Sequence, residues 1–444
     1  MKSLWLLGLA VLVGSLVTSF AADPPWSWLA GFVYILYDTL LIAITFVTLV
    51  RSRASHPTTL DLNDISGEPS SAPTLTVVIS FFNEKKSLKA CWDHLCVQTR
   101  KPELVLFVDD GSEQASPEWL RRLAADPNSG VQLLVKPHTG KADSLNRALK
   151  TIQTDYFVTL DADTLLEPDA LEKLCEALTV NPTWTIGGGL LTPNCENGVW
   201  AKFLETFQKF EYKRAFLNRL AWSHWNCLNL VSGAFAFYRT QLVQEVGGFA
   251  TQSLVEDYEL TTRLYEQALG KGRDPSFHVA VLGQARAQTD CPNTPLRLLR
   301  QRQRWFGGFL QTHWHYRRLI GQSEVGNFGK ILLPLKSSDT LQPLFGLVAL
   351  GNLLFFLILR RKLHWLVLAV LIAKLVLDLI FHYWGLFLYQ RWTGEQLQPK
   401  TWILSFFVTL AEPFFFQPLR HLGAALGYLL FWQRNPKWHA SRPQ

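Results

Sequence analysis

The chain has 444 residues, 48% of them hydrophobic and 13% aromatic, enough for one sizeable soluble domain together with membrane spans. Its formal charge of +7 is carried by Lys and Arg that are scattered or flank apolar runs, so the basic partner is a membrane surface with anionic lipid and not nucleic acid. The cysteines (Cys91, Cys96, Cys175, Cys195, Cys227 and Cys291) lack CxxC spacing, which argues against a zinc site or a disulfide framework and fits a reducing compartment.

The apolar residues concentrate in about the first 50 and the last 110 positions, so the middle reads as a soluble domain between membrane segments. Residues 4–20 form an apolar run ending in Ser19-Phe20-Ala21-Ala22. It is either a signal peptide or a first membrane helix, and the retained helix is the favoured reading. A second run, about 28–50, is long enough to span, and Arg51 and Arg53 follow it closely. The positive-inside rule then puts the next domain in the cytoplasm, anchored in the cell (inner) membrane. Residues 54–73 are a polar linker.

Strands then alternate with helices. A strand over 75–80 leads into Phe81-Phe82-Asn83-Glu84, a helix over about 85–98 follows, and strand 104–108 runs into Asp109-Asp110-Gly111-Ser112. Helix 116–125 and strand 131–135 precede His138-Thr139-Gly140-Lys141 and a helix to about 150. The central strand begins at Tyr156 and stops at Asp161-Ala162-Asp163. This alternation predicts an α/β domain with right-handed crossovers and a mostly parallel sheet, each polar cluster following a strand at the same edge. Ligands bind at that edge in open α/β sheets. Two hard carboxylates there suit Mg²⁺ or Mn²⁺, although a strand that ends in a polar turn has the same appearance.

Residues 186–190 read as another strand and 230–235 as a strand or a small-residue loop. Val255-Glu256-Asp257-Tyr258-Glu259 opens a helix to about 268, where first-turn acids suit the helix dipole as well as they suit chemistry. A basic helix starting near Pro295 carries Gln301-Arg302-Gln303-Arg304-Trp305, and its charges would also suit a membrane-surface face. Spans are expected at about 341–359 and 363–388, with a third apolar region at 402–432 that Glu412, Pro413, Pro418 and Arg420 would break or make re-entrant. Arg420 is either interfacial or faces protein or a watery path. Arg360, Arg361 and Lys362 fall outside under simple alternation, against the positive-inside rule. The domain boundaries are thus 1–53, 54–73, 74–310, 311–340, 341–432 and a basic tail over 433–444.

Seven motifs in order, VISFFNE, VDDGS, TGKADSLNRAL, LDADT, VSGAF, VEDYELTTRL and QRQRW, span about 75–310. With them the chain resembles the membrane-bound family 2 glycosyltransferases with a GT-A (Rossmann-like) fold, and most of all the processive synthases of cellulose, hyaluronan, chitin and poly-N-acetylglucosamine. The resemblance implies that Ser80 and Phe82 flank a uracil, that Glu84 and Asp110 hold the nucleoside, and that Lys141 lies near the nucleotide. It makes Asp161 and Asp163 the metal and sugar-nucleotide pair, Asp257 the general base beside Glu256, and Ser232 and Gly233 part of the acceptor site. Gln301, Arg304 and Trp305 match a motif near the diphosphate and acceptor. The chain departs from the family pattern at Phe82, where a tyrosine hydroxyl is lost, and at Val255, where the family has threonine.

The physical logic agrees. Transfer from a nucleoside diphosphate sugar loads negative charge on the leaving group, which a divalent ion and the Arg304 fork can stabilise. The acceptor hydroxyl must lose a proton to a carboxylate not occupied by metal, which singles out Asp257. Trp305 offers a face for a sugar ring, or an interfacial anchor. Inverting transfer from UDP-N-acetylglucosamine or UDP-glucose to a growing polysaccharide, coupled to export, follows from the resemblance. A single transfer to a membrane lipid, ceramide or diacylglycerol in type, is the alternative. The intact acids, lysine and QxxRW argue against a non-catalytic scaffold or sensor.

Overall fold

The computed structural model describes residues 2–21, 25–52, 72–196, 198–270, 277–360 and 365–433. Most of the linker, Arg53, Ala22, Arg361, Lys362 and the tail beyond 433 lie outside the described residues.

Two helices open the chain, α1 (Lys2–Ala21) and α2 (Leu29–Arg51). The soluble domain then runs β1 (Leu75–Phe81), α3 (Lys85–Cys96), β2 (Leu104–Asp109), α4 (Glu118–Ala125), β3 (Val131–Val135), α5 (Lys141–Leu149), β4 (Tyr156–Asp161), β5 (Leu165–Leu166) and α6 (Ala170–Val180). It continues through β6 (Trp184–Asn194), α7 (Val199–His224), β7 (Phe235–Arg239), α8 (Thr240–Glu245), α9 (Glu256–Ala268), β8 (His278–Asp290) and α10 (Pro295–His315). The eight strands lie in the order β3-β2-β1-β4-β7-β6-β8-β5. Pairing is parallel from β3 to β4 and between β6 and β8, and antiparallel where β7 joins β4 and β6 and where β5 joins β8. The expected mostly parallel α/β sheet is therefore present.

β1, β2 and β4 are apolar on both faces because helices cover both faces of the sheet. Their buried core includes Val77, Ile79, Phe107, Val158 and Phe157. β6 carries glycine where rings of β7 lie across it: a Cβ at Gly187 would stand 2.4 Å from Phe237, and one at Gly189 2.1 Å from Phe235.

One expectation is corrected. The register places Asn194 of β6 opposite Asp290 of β8, so Cys195 and Cys291 meet just beyond the ladder. Their Cα atoms are 5.4 Å apart and they form a disulfide across 96 residues of sequence. Cysteine spacing could not show this, because a strand pairing made 96 residues apart closes the gap. The other four cysteines are free thiols.

Past the domain come α11 (Leu333–Asp339), α12 (Gln342–Leu354), α13 (Trp365–Thr393), α14 (Pro399–Ala411) and α15 (Phe416–Trp432). Among the described residues three helices are long and apolar enough to cross a membrane: Leu29–Arg51, Phe328–Arg360, which contains α11 and α12, and Trp365–Thr393. Helices α14 and α15 pass the same test as a pair bent by 45° at Glu412–Phe414. Pro413 removes a backbone donor at that break. The Arg420 guanidinium lies 2.9 Å from Glu211 of α7.

Candidate active site

The C-terminal ends of β1, β2 and β4 bring their polar loops to one edge of the sheet. Ser80 stands beside Asp161 in the β1–β4 register. The next loop residues cross-link: the Asn83 amide donates to Ser112 Oγ at 3.0 Å, and Asn83 Oδ1 accepts from the Glu113 amide at 3.0 Å. Asn83 adopts a left-handed φ of 57°, which asparagine tolerates better than most residues. Phe82 stacks on the His138 ring at 4.2 Å between centroids. Glu84 is half-buried just ahead of α3.

Asp110 is buried and committed to the loop before α5. It pairs with Lys136 and His138 and accepts from the amides of Thr139 at 3.0 Å and Gly140 at 3.0 Å. Gly140 has φ of 100°, a turn that points the first residue of α5, Lys141, back at the end of β4.

There the charges converge. Lys141 Nζ lies 2.5 Å from Asp161 Oδ1 and 3.5 Å from Glu256 Oε1. Asp257 Oδ2 accepts from the Gly233 amide at 2.8 Å, and its Oδ1 from the Tyr258 amide at 2.7 Å. A Cβ on Gly233 would stand 3.3 Å from Asp257 Oδ2 and 3.4 Å from Lys141 Nζ, so glycine keeps this corner open. Burial, followed by repulsion from Glu256, pushes the Asp257 carboxyl up to about 6 despite those amide bonds and Lys141. Burial opposes the charge on Lys141, but Asp161 and Glu256 outweigh it and hold the ammonium above its ordinary pKa. Asp163 is buried and accepts from Thr289 at 3.3 Å, while Ser232 and Gly233 lie on the turn entering β7.

α10 closes the cluster from the side on which α15 packs. Arg304 donates to the Leu254 carbonyl at 3.3 Å, and Gln311 accepts from the Leu254 amide at 3.1 Å. Tyr258 and His313 bond at 2.8 Å, and Tyr316 donates to Glu259 at 2.6 Å. The first turn of α9, with Glu256 and Asp257, is thereby tied to the helix bearing Gln301, Arg304 and Trp305. Gln301 Oε1 is buried and meets no hydrogen-bond partner among the described residues. Arg302 lies over the Trp305 ring at 4.4 Å, so one face of that tryptophan is already covered.

Four contributors to the site carry little signal in the sequence. His138 was noted only as part of a loop. Tyr258 and His313 gave no signal, because their pairing joins helices 55 residues apart. The long β8 was overlooked, although Gln284, Arg286 and Gln288 alternate with Ala285 and Ala287 at the period of a strand.

Among the described residues no group of three or more His, Cys, Asp or Glu side chains is gathered as a metal cage. The half-exposed Asp161 carboxylate still fits a Mg²⁺ or Mn²⁺ ion, which needs one or two carboxylates and takes its other ligands from phosphate and water.

Residues 76–247 match the family described as Glycosyl transferase family 2. The poly-beta-1,6-N-acetyl-D-glucosamine synthase of Staphylococcus aureus (strain COL) is 21% identical over 282 residues, 63% of this chain and 61% of the relative. Its counterpart in Staphylococcus epidermidis is 22% identical over 203 residues, 45% of this chain and 48% of the relative. This chain thus spans less than two thirds of the length of these curated relatives. Among solved structures, mannosyltransferase PcManGT from Pyrobaculum calidifontis, in complex with GDP-Man and Mn²⁺, superposes with a TM-score of 0.55 at 18% identity. That match covers 87% of this chain and 99% of the other, and it shows a shared GT-A fold.

Proposed function

We propose that the chain, whose residues 76–247 match Glycosyl transferase family 2 and which has helices long and apolar enough to cross a membrane, moves a sugar from a UDP-sugar to a growing glycan, with inversion. The observation that carries this reading is the convergence of Lys141, Asp161, Glu256, Asp257 and Gly233 at the end of β4, docked on the Arg304 helix. UDP-N-acetylglucosamine is the favoured donor, with UDP-glucose second, because the curated relatives are named as N-acetylglucosamine polymer synthases. The structural neighbour's GDP-Man makes GDP-mannose a donor worth testing.

Phe82 and His138 supply aromatic faces for the base, with Ser80 at its edge and Glu84 nearby. Asp110 acts at one remove, by shaping the Thr139-Gly140-Lys141 turn. A divalent ion on Asp161, with Asp163 behind it, would supply positive charge against the leaving diphosphate. Arg304 adds a planar fork beside Leu254. Asp257 takes the proton from the acceptor hydroxyl as the new glycosidic bond forms. Its pKa of about 6 makes it a stronger base than an ordinary aspartate while leaving it ionised near pH 7. Gln301 Oε1 and the open corner at Gly233 are placed to receive acceptor hydroxyls.

A cavity of about 780 Å³ lies among α2, α7 and the C-terminal helices, lined by Trp28, Tyr34, Glu211, Arg214, Lys374 and Arg420, among others. Glu211 on its wall bonds Arg302, three residues before Trp305, at 2.7 Å. This supports passage of the product into the membrane region. The many alkyl side chains in the same wall, Ile35, Leu41, Ile42 and Leu371 among them, favour a lipid acceptor as the second reading. Arg51 at the end of α2 favours a cytoplasmic domain by the positive-inside rule.

The test is the purified protein in lipid vesicles with Mg²⁺ or Mn²⁺ and radiolabelled UDP-N-acetylglucosamine, UDP-glucose or GDP-mannose, the products separated by size and by organic extraction. A long polymer from one donor supports the synthase and names its sugar. A single sugar in the lipid fraction moves the assignment to the lipid acceptor, and incorporation from no donor sinks both.

A further inference from the structure

The geometry points to Lys141 as a built-in cation that keeps divalent metal off Asp161 until a nucleoside diphosphate arrives, so that metal and nucleotide enter together. The inference rests on reading this site as one for a sugar nucleotide and a divalent ion.

Lys141 is aimed by construction. Asp110 pins the two preceding amides, and the positive φ of Gly140 turns the chain so that α5 starts with its ammonium over the end of β4. That ammonium bridges Asp161 at 2.5 Å and Glu256 at 3.5 Å, while the missing side chain at Gly233 leaves it room. Its side chain is only 20% exposed, so solvent screens it weakly. A divalent ion coordinated by Asp161 would sit within a few ångströms of this ammonium, a like-charge contact in a site of low dielectric. Asp163 offers little relief, because it is buried and bonded to Thr289.

A diphosphate removes the conflict. Its oxygens give the ammonium new acceptors and supply the ligands that the metal needs beyond one carboxylate. The four-carbon stem of lysine lets the ammonium swing from carboxylate to phosphate without moving the backbone. The expected behaviour is weak metal binding to the empty site and strong binding in the presence of nucleotide.

The experiment titrates Mn²⁺ into the full-length protein in nanodiscs and follows the electron paramagnetic resonance signal of the free ion, with no nucleotide, with UDP and with GDP. Wild type is expected to hold Mn²⁺ with a diphosphate and at least about tenfold more weakly without one. Lys141→Met should bind Mn²⁺ without nucleotide at least about tenfold more tightly than wild type. Asp161→Asn in that background should remove the gain, and Lys141→Arg should behave as wild type. Lys141→Gln is run in parallel with thermal unfolding of each variant as the check on folding. Nucleotide-dependent binding in wild type with no gain in either neutral variant overturns the proposal and leaves the site reading standing. Equal binding with and without nucleotide in wild type also overturns it. A wild-type protein that takes no Mn²⁺ even with UDP or GDP overturns the metal reading and the proposal together.

Discussion

Two clusters of ionisable groups lie on either side of α10, and they are built on opposite principles. Within the membrane region, Arg214, Arg302, Lys374 and Arg420 face Asp38, Glu211, Asp378 and Glu412, cation matched to carboxylate. At the sheet edge the ammonium of Lys141 stands among Asp161, Glu256 and Asp257, and the half-buried Arg219 guanidinium also acts on Asp257. Charges that serve architecture are neutralised where they are buried, because an unpaired charge in low dielectric is costly. At the sheet edge the carboxylates crowd together instead, and burial, followed by repulsion from Glu256, raises the pKa of Asp257.

The contrast can be broken at either end. The largest effect is expected at the sheet edge. Asp257→Asn should lower transfer by about 10³-fold while nucleotide binding persists, in the range that general-base removal produces. The same variant removes a buried carboxylate from beside Glu256, so its melting temperature should be no lower than wild type. A comparable loss of transfer with a collapsed melting temperature would mean that Asp257 acts as structure.

In the membrane cluster the expected signs are reversed. Glu211→Ala leaves Arg302 and Arg420 without their shared partner and should cost about 3 kcal/mol of stability. Thermal unfolding in nanodiscs checks this, and any loss of transfer should follow the loss of folded protein. Next in size is the disulfide. Cys195→Ser or Cys291→Ser releases the ladder end between β6 and β8, with an expected cost of about 2–4 kcal/mol, the usual range for a native disulfide. Mass-tagging of thiols in freshly lysed cells measures whether the pair is oxidised. A fully reduced pair in the cell would match the cytoplasmic placement and make these substitutions nearly silent.

The smallest effect concerns pH. A base with a pKa of about 6 is ionised above that value and protonated below it, so kcat/KM should fall as pH drops through 6, by about tenfold at pH 5. Lys141→Met removes the cation that opposes the rise and should move this limb to higher pH. A limb near the ordinary aspartate value of about 4 would mean that burial and Glu256 do not hold Asp257 up in the working enzyme.

Much of the fold was legible because it is local. β1, β2, β3 and β4 are short apolar runs bounded by polar turns, and α9 begins within a residue of its expected start. The site acids were visible as motif residues, and several fell at one edge because successive parallel strands must present the same end. What failed was long-range. α7 is a 26-residue helix that went unread, because its apolar residues wrap around it without a clean stripe. Cys195 and Cys291 looked unrelated because β8 was not recognised as the neighbour of β6. Asp110 looked like a nucleoside ligand in sequence, yet its carboxylate is spent on the turn that aims Lys141.

By itself the sequence determined the alternation of strands and helices, the apolar segments at both ends and the types of charged residue available for chemistry. These follow from residue-by-residue propensity, periodicity and spacing, which need no partner. Only the tertiary structure decided that Lys141 bridges Asp161 and Glu256, that Gly233 leaves the corner open beside Asp257, and that Tyr258 meets His313 to hold the acids against α10. Those contacts join residues 20 or more positions apart, and the packing that brings them together also sets the dielectric in which their charges act.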